Sequence, residues 1–481
     1  MPPAGGRPRS TSIHFLDDDS ILNIFHFCRP VLLDSDVDND VHILQGGEWG
    51  RERWWYKLAQ VCRRWRYLIL GSASYLRLCL LCTHNTPIAD MLAHSPPLPL
   101  VIDHMGSAGA RAQGVENEEG MLLALQHRDR LRRMRILWPI PSLQRFITAM
   151  DGEFPMLEYL YAAPPSKSNA GLVLPRTFQA PHLLSLVLIG FALPTGRPLF
   201  PNPVGVVTLS LQEIHTYANF RLNDLFHLLS LLPQLESFTI GFHSPFPNHG
   251  VRTQLLQMPN MARVTLPNLR SFAFEGVSIY LEMLLPRMAA PRLEKLRIHF
   301  FHQLTFSVPC LRDFMSRAEN LRFNNAVVTF YDWGVMVILY PDESHRMYTL
   351  NIHIFCRNFD WQVSSVSQIF TALSPVFSDV VDLTLGYSEH VSTPEWQYET
   401  DRTQWRDLLR SFHNVKTLSV PRGLTRDLSR SLRPENGESS MDLLPELKEL
   451  EYSTYWPDSD AFSSFVEARL LAGHPVTLIR L

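Results

Sequence analysis

The feature that most constrains the fold is a short pattern that recurs from about residue 125 onward. One apolar residue is followed by a second three positions later and a third two positions after that, often with a proline just ahead. The clearest copies begin at Pro155, Pro181, Pro233, Pro267, Pro291 and Pro445. The twelve copies lie 23 to 35 residues apart, and their first apolar residues are Leu131, Leu157, Leu183, Val206, Leu235, Leu269, Leu293, Ala318, Met347, Val380, Val415 and Leu447.

Each copy has the pattern of one short β-strand. A single strand of this kind cannot close a core, so neighbouring units must stack to bury their apolar side chains. Segments between the copies favour helices, at 223–232, 401–412 and 460–471, with Gly473 ending the last. Strands and helices that alternate at this spacing predict a parallel sheet with right-handed crossovers.

The repeat is similar to a degenerate leucine-rich repeat. Units of that family usually span about 20–29 residues, so several spacings here are long, and the asparagine that usually follows the strand is mostly missing. A helix at 88–94 and a strand at 98–102 are expected to form a first unit, ahead of a flexible stretch at 106–120. The expected fold class is α/β: a small all-α module, then an α/β leucine-rich-repeat-like solenoid with parallel strands on one face and helices on the other. An ordinary doubly wound α/β domain is the alternative.

Two helical patterns precede the repeats. In the first, Ile21, Ile24, Phe25 and Cys28 form one apolar face, and three aspartates at 17–19 suit the start of a helix. The second runs over 53–70 as one helix or two short ones, with Gly71 as its stop. Its apolar face carries Trp54, Leu58, Val61, Cys62, Trp65 and Leu68.

These two patterns carry a family resemblance. Leu16-Asp-Asp-Asp-Ser-Ile-Leu-Asn-Ile-Phe resembles the opening of an F-box, and Val61-Cys-Arg-Arg-Trp-Arg-Tyr-Leu-Ile resembles its closing helix. Together they are similar to a variant common in large families of fungal F-box proteins. Asp17 departs from the family, which usually has proline there, and the acidic insertion at 29–53 is longer than usual. Without the resemblance, the residues alone also fit a plain amphipathic helical hairpin.

The resemblance implies docking onto the Skp-type adaptor of a cullin-RING ubiquitin ligase. Such docking requires apolar surface that is left over once the small helical core is filled, and a stable interface buries roughly 1,200–2,000 Å². The sequence leaves open which side chains pack inward and which face the adaptor. The candidate adaptor-binding residues are Leu16, Ile21, Leu22, Phe25, Val61 and Trp65.

Composition excludes several classes of function. A net charge of −3 gives no basic field for nucleic acid. The longest apolar stretch, 183–194, is too short to cross a bilayer, so no membrane partner is expected. The six cysteines are few and scattered, and the start of the chain has no signal-peptide core, which favours the cytoplasm or nucleus.

No motif predicts chemistry. The chain lacks phosphate-loop, HExxH and GxSxG patterns, and its one CxxC, Cys79 to Cys82, has no second pair to complete a zinc site. We therefore expect no cofactor, no metal and no catalytic residue. The remaining functional surface is the row of outward-facing positions on the predicted strands. The candidate target-binding residues are Arg133, Arg135, Tyr159, Lys295, Arg297, His299, Asn320 and Arg322.

The sequence thus predicts a substrate-receptor subunit of an SCF-type ubiquitin ligase, binding the adaptor through its first module and an unidentified target protein through the repeats. Residues 1–12 are expected to be disordered, residues 13–82 to form the F-box-like module with its insertion at 29–53, and residues 83–481 to form the solenoid. The alternatives are an F-box scaffold outside ubiquitination and an α/β enzyme with an unfamiliar site.

Overall fold

The fold is mixed α/β and divides into two compact units. Unit 1 comprises Met1–Ser166 and Leu174–Leu186, and unit 2 comprises Lys167–Val173 and Val187–Leu481. The structure, a computed structural model, describes residues 15–29, 53–83, 85–105, 118–166, 171–192, 205–214, 222–243, 263–341, 348–388, 402–420, 423–434, 439, 441–453 and 461–481. These residues include thirteen α-helices and a large, mostly parallel sheet of sixteen strands. The disorder expected at 1–12, most of the insertion at 29–53 and most of the flexible stretch at 106–120 fall outside the described residues.

A module of three short helices opens unit 1: α1 Asp18–Cys28, α2 Trp54–Ala59 and α3 Arg63–Gly71. The Asp17 carboxylate caps α1 by accepting a hydrogen bond from the Ser20 N–H at 2.7 Å. Cys62 caps the start of α3, where its Sγ accepts a hydrogen bond from the Trp65 N–H at 3.5 Å. The second sequence pattern is therefore two short helices.

The rest of unit 1 alternates strand and helix: β1 Leu80–Cys82, α4 Ile88–His94, β2 Leu100–Met105, α5 Glu118–Leu125, β3 Leu131–Leu137, α6 Ile140–Ala149 and β4 Tyr159–Ala163. Strands β1 to β4 are parallel and adjacent in chain order. Helix α4 contacts α5, and α5 contacts α6. Phe146 of α6 packs edge-on against Trp138 at the end of β3, which holds the helices on one face of the strands. The unit boundary falls in β5, Ser185–Ile189.

Unit 2 continues the alternation. Its elements are, in chain order, β6 Thr208–Ile214, α7 Leu222–Ser230, β7 Ser237–Phe242, β8 Val264–Thr265, β9 Ser271–Gly276, α8 Ser278–Leu284, β10 Met288–Ala289, β11 Lys295–Phe300, α9 Pro309–Met315, β12 Asn325–Phe330, β13 Gly334–Tyr340, β14 Leu350–Phe355, α10 Phe359–Leu373, β15 Asp382–Tyr387, α11 Arg402–Arg410, β16 Thr417–Val420, α12 Thr425–Leu432, β17 Glu449–Tyr452, α13 Ser463–Leu471 and β18 Thr477–Arg480. Strands β8 and β10 form a separate parallel pair. Helices α9 to α12 contact one another in succession and so form a layer. The helices predicted at 223–232, 401–412 and 460–471 are confirmed as α7, α11 and α13.

The recurring proline has one structural role in its six clearest copies. It occupies the second position of a turn in which the first leucine of the repeat donates its N–H to the residue just before the proline. These bonds run from Leu157 to Phe154, Leu183 to Ala180, Leu235 to Leu232, Leu269 to Leu266, Leu293 to Ala290 and Leu447 to Leu444. The turn sets the register of the strand that follows, so the alternation of buried and half-buried side chains begins at the same point in each unit. Strands β9 and β11 alternate in this way over their full length.

An antiparallel meander interrupts unit 2. The order of neighbours is β11-β14-β13-β12-β15, with β13 antiparallel to both β12 and β14. The repeat copy predicted at Ala318 is wrong, because β12 begins only at Asn325. Ala318 and Leu321 instead close the turns that follow α9, through N–H bonds to Met315 and Ala318. Strand β13 was not predicted.

Candidate functional site

The core of the helical module is filled by a few apolar side chains. Ile21 and Phe25 are each only 1% exposed, and the Phe25 ring packs edge-on against Trp65 with ring centroids 4.9 Å apart. Arg64 joins α3 to α1, because its guanidinium donates to the Asp18 carboxylate and to the Leu16 carbonyl. Ile21 and Phe25 therefore hold the module together and offer no surface to a partner in this conformation.

A second set of apolar side chains in the same module points into solvent. Phe27 is 86% exposed and Val61 is 60% exposed. Ile24 lies one helical turn before Phe27 on α1, so the two form an apolar stripe separate from the buried one. We call the exposed set the module apolar surface, and it comprises Phe15, Leu16, Ile24, Phe27, Val61 and Tyr67. Of the six predicted adaptor-binding residues, Leu16 and Val61 belong to it, while Leu22 and Trp65 are half-buried.

Within unit 1, a buried hydrogen bond connects the helical module to the first strand. The Trp55 indole of α2 donates to the Cys79 carbonyl at 3.3 Å, just before β1. Cys79, Leu81 and Val101 form a buried cluster on this side of β1 and β2. Burial raises the pKa of the Cys82 thiol to about 12, so at neutral pH it is a protonated, unreactive thiol. Both Cys79 and Cys82 are buried and therefore contribute to the packing of this region.

The predicted target-binding residues of unit 1 lie on the sheet face opposite the helices. Arg135 is only 1% exposed, and its guanidinium makes two hydrogen bonds to the Asp103 carboxylate, at 2.8 and 2.9 Å. Burial raises the pKa of the neighbouring Tyr159 to about 12, although Arg135 opposes the shift. Arg133 is half-buried. The prediction that Arg135 is a surface residue is wrong. Its side chain is buried, and the Asp103 carboxylate neutralises its charge there.

The corresponding face of unit 2 is more open. Lys295, Arg297 and His299 alternate along β11 and are all half-buried, as predicted for outward-facing positions. The Arg297 guanidinium donates to the Tyr348 hydroxyl and also lies over the Tyr348 ring, 5.4 Å from its centroid. Burial, and secondly the charge of Arg297, lower the pKa of His299 to about 4. His299 is therefore a neutral imidazole at physiological pH.

Aromatic side chains gather at the carboxyl end of this face. We call Tyr331, Trp333, His353 and Phe355 the aromatic tip. His353 lies at its centre, with ring centroids 4.6 Å from Trp333 and 4.2 Å from Phe355. Tyr331 stacks on Trp333 at 4.8 Å. Trp333 is 44% exposed and Phe355 is 38% exposed, so part of each side chain is accessible to solvent.

Buried contacts position the aromatic tip. The Gln362 side chain is fully buried, and its amide donates to the carbonyls of Tyr331 at 2.8 Å and Cys356 at 2.7 Å. These two bonds tie the turn before β13 to the end of β14. Gly334 allows the strands to approach, since a Cβ there would lie only 2.4 Å from the Ile354 carbonyl oxygen.

The aromatic tip was not predicted, because its members come from a turn and from strands whose pairing was not predicted. The only available signal was the density of aromatic residues between 330 and 361. The last two predicted target-binding residues, Asn320 and Arg322, are exposed but precede β12. They were assigned to a strand in error, because the strand begins at Asn325, five residues later than the repeat copy at Ala318 predicted.

Comparison with known proteins does not assign the chain to a family. No protein-family model matches the chain, and no curated protein matches it. None of the described helices is both long enough and apolar enough to span a membrane. Within the described residues, no group of three or more histidine, cysteine or acidic side chains is arranged to hold a metal ion.

Proposed function

We propose that this chain is the substrate-receptor subunit of an SCF-type, cullin-RING ubiquitin ligase. Helices α1 to α3 would act as a divergent F-box that binds the Skp-type adaptor. The strands and helices that follow would act as a leucine-rich-repeat-like solenoid that binds a target protein. The chain would perform no chemistry itself, and would raise the concentration of its target near the ubiquitin-charged enzyme.

The module apolar surface is the observation that carries this proposal. Large apolar residues such as Phe27 and Tyr67 remain in solvent although the module has a filled core of its own. Exposed apolar patches on a folded domain are characteristic of protein-binding sites. The position of the patch, on the helices that resemble the F-box, supports the adaptor as its partner.

The second half of the proposal rests on the open face of unit 2. Arginine, tyrosine and tryptophan are the residues that most often dominate the binding energy of protein interfaces. Arg297, Tyr348 and Trp333 supply all three on one surface. The six cysteines are all free thiols, as expected in the reducing cytoplasm or nucleus, where we propose that the protein acts.

The proposal is tested by measuring binding of the purified Skp-type adaptor to the full chain by titration calorimetry. Wild type is expected to bind, and Ile24→Asp plus Phe27→Asp is expected to weaken binding at least 100-fold, since each buried anchor contributes roughly 2 kcal/mol. Both side chains are exposed in the free chain, so the double variant should keep the thermal unfolding midpoint of wild type.

A matched control carries the same chemical change on another exposed apolar pair. Leu470→Asp plus Leu471→Asp places two carboxylates on α13, whose leucines are also in solvent. This variant should bind the adaptor with wild-type affinity. Failure of wild type to bind, or equal binding by the Ile24 and Phe27 double variant, would overturn the proposal.

A further inference from the structure

The exposed aromatic rings of the tip in unit 2 indicate which chemical groups of a target it can bind. Its rings are preorganised, because Gln362 fixes the backbone on both sides of the tip. Trp333 and Phe355 are each partly exposed to solvent. The face of an aromatic ring carries negative electrostatic potential and attracts a cation that lies within about 6 Å of the ring centroid.

A second aromatic pair lies at the start of α10. Trp361 is about half exposed and stacks on His302, with ring centroids 5.1 Å apart and planes 13° apart. The Asn358 side chain caps this helix by accepting from the Trp361 N–H at 3.3 Å. Cys356 at the end of β14 donates its N–H to the Trp333 carbonyl, which connects this region to the tip.

The charges around these rings favour a positively charged partner. Asp332 is exposed and lies between two members of the tip in sequence, and Asp360 directly precedes Trp361. Glu275 on β9 is the register partner of His299 on β11. Because its pKa is lowered to about 4, His299 adds no positive charge at neutral pH.

Three basic residues lie on or near the same surface. Arg357 is exposed and follows β14. Lys295 and Arg297 lie at the amino half of β11, and Arg297 leans over Tyr348, which precedes β14 and is therefore at the opposite end of the strands from the tip. Among the described residues, the carboxyl end of the face thus combines aromatic rings with the carboxyl side chains of Asp332, Glu275 and Asp360 and with one exposed arginine, Arg357.

We propose that the aromatic tip binds a basic segment of the target protein, with a lysine or arginine side chain lying on the rings of Trp333 and Phe355. Asp332 and Asp360 would balance its charge. This inference rests on the proposed function only in identifying the segment as part of a target. The binding chemistry is independent of whether α1 to α3 bind an adaptor.

The test is a selection from a random-peptide display library on the immobilised full chain, followed by fluorescence anisotropy of the enriched peptides. Enriched peptides should share a lysine or arginine, and Trp333→Ala should weaken their binding about tenfold or more. Replacing the shared residue by norleucine, which keeps the apolar stem and removes the charge, should weaken binding to a similar degree. Enrichment of acidic or wholly apolar peptides, or tolerance of norleucine, would overturn the proposal.

Two controls separate this inference from the rest of the molecule. Tyr75→Ala removes a similarly exposed aromatic ring from the segment that follows α3 and should leave peptide affinity unchanged. The near-ultraviolet circular dichroism of Trp333→Ala should differ from that of wild type only by the contribution of the removed ring. Its adaptor affinity should equal that of wild type. If no enriched peptide depends on Trp333, the basic-segment proposal fails, whereas the adaptor measurement on the same variant reports separately on the proposed function.

Discussion

Units 1 and 2 build parallel strands by the same rule but complete the non-helical face of those strands differently. In unit 1 the face around β2 and β3 contains a buried ion pair between Asp103 and Arg135. In unit 2 the face around β11 carries Arg297 at a similar outward position, half-buried and held by a neutral phenol. The difference shows that an outward-facing strand position does not determine exposure. What differs between the two positions is the side chain that the arginine contacts, the Asp103 carboxylate for Arg135 and the Tyr348 hydroxyl for Arg297.

The largest expected effect comes from breaking the buried pair. Asp103→Ala leaves the Arg135 charge buried without its carboxylate, and should destabilise unit 1 by about 3 kcal/mol. The matched change in unit 2, Tyr348→Phe, removes the hydroxyl from Arg297 and should cost less than about 0.5 kcal/mol, because Arg297 is partly solvated. Urea denaturation followed by circular dichroism measures both.

A double variant sharpens this comparison. Asp103→Ala combined with Arg135→Met removes both charges and should recover most of the stability lost in Asp103→Ala. If Asp103→Ala proves no more damaging than Tyr348→Phe, the two faces are equivalent in energy and the contrast drawn between them is mistaken.

A second prediction concerns the close strand approach that supports the aromatic tip. Gly334→Ala should destabilise unit 2 by about 2 kcal/mol, because the new Cβ would collide with a backbone oxygen that cannot rotate away. Gly386→Ala is the control: its Cβ would meet the Thr329 hydroxyl at 3.1 Å and the Thr329 methyl at 3.3 Å, contacts that a small side-chain shift can relieve. Thermal unfolding should show the smaller shift for Gly386→Ala, and equal shifts would contradict the steric argument.

A third prediction follows from the lowered pKa of His299. The folded chain holds this imidazole neutral with a pKa of about 4, whereas the unfolded chain protonates it near 6.5. Its contribution to stability is therefore present above pH 6.5 and is lost as the pH falls towards 4. Allowing for partial exposure, we expect a loss of about 2 kcal/mol across that range.

The His299 prediction is measured as the pH dependence of the urea midpoint. His299→Gln should flatten the fall in stability between pH 6.5 and 4 relative to wild type. His474→Gln changes an exposed histidine and should reproduce the wild-type profile. A profile for His299→Gln that parallels wild type would show that His299 is solvated as freely as His474.

The smallest expected effect is at the solvated ion pair between Arg270 and Glu294, whose atoms are 3.2 Å apart and whose side chains are about half exposed. Arg270→Gln should change the free energy of unfolding by less than about 0.5 kcal/mol. Among these variants, Arg270→Gln should show the smallest loss of unfolding free energy and Asp103→Ala the largest. A loss above 1 kcal/mol in calorimetry would mean that exposure alone does not rank these pairs.

Much of the fold was predictable from local turn chemistry. A proline at the second turn position predicts the strand that follows it, as Pro267 does for β9 and Pro291 does for β11. The meander was missed because β13 lacks this signal and pairs antiparallel with strands on both sides. The burial of Arg135 was missed for a different reason: a charged side chain becomes buried only when a partner such as Asp103 lies beside it in space, and that proximity depends on strand register.

The candidate sites show the same division. The sequence identified α1, and it placed Ile21 and Phe25 correctly on the buried face. It wrongly placed Ile24 and Cys28 on that same face, because both are exposed in the structure. A helix this short buries only a narrow stripe, so residues at the margin of the predicted face remain in solvent. The aromatic tip depends on contacts between 331 and 362, which no single-strand pattern contains.

The meander at β12 to β14 also has a consequence for how the chain folds. In a stack of parallel units, each strand joins its neighbour only after a helical crossover, so folding spreads along the chain one unit at a time. Strands β12, β13 and β14 are instead joined by short connections and make only sequence-local pairings with one another. Local pairings form faster than distant ones. Strands β12, β13 and β14 can therefore pair before either flank and then act as a template with two open edges, one for β11 and one for β15, from which folding proceeds in both directions.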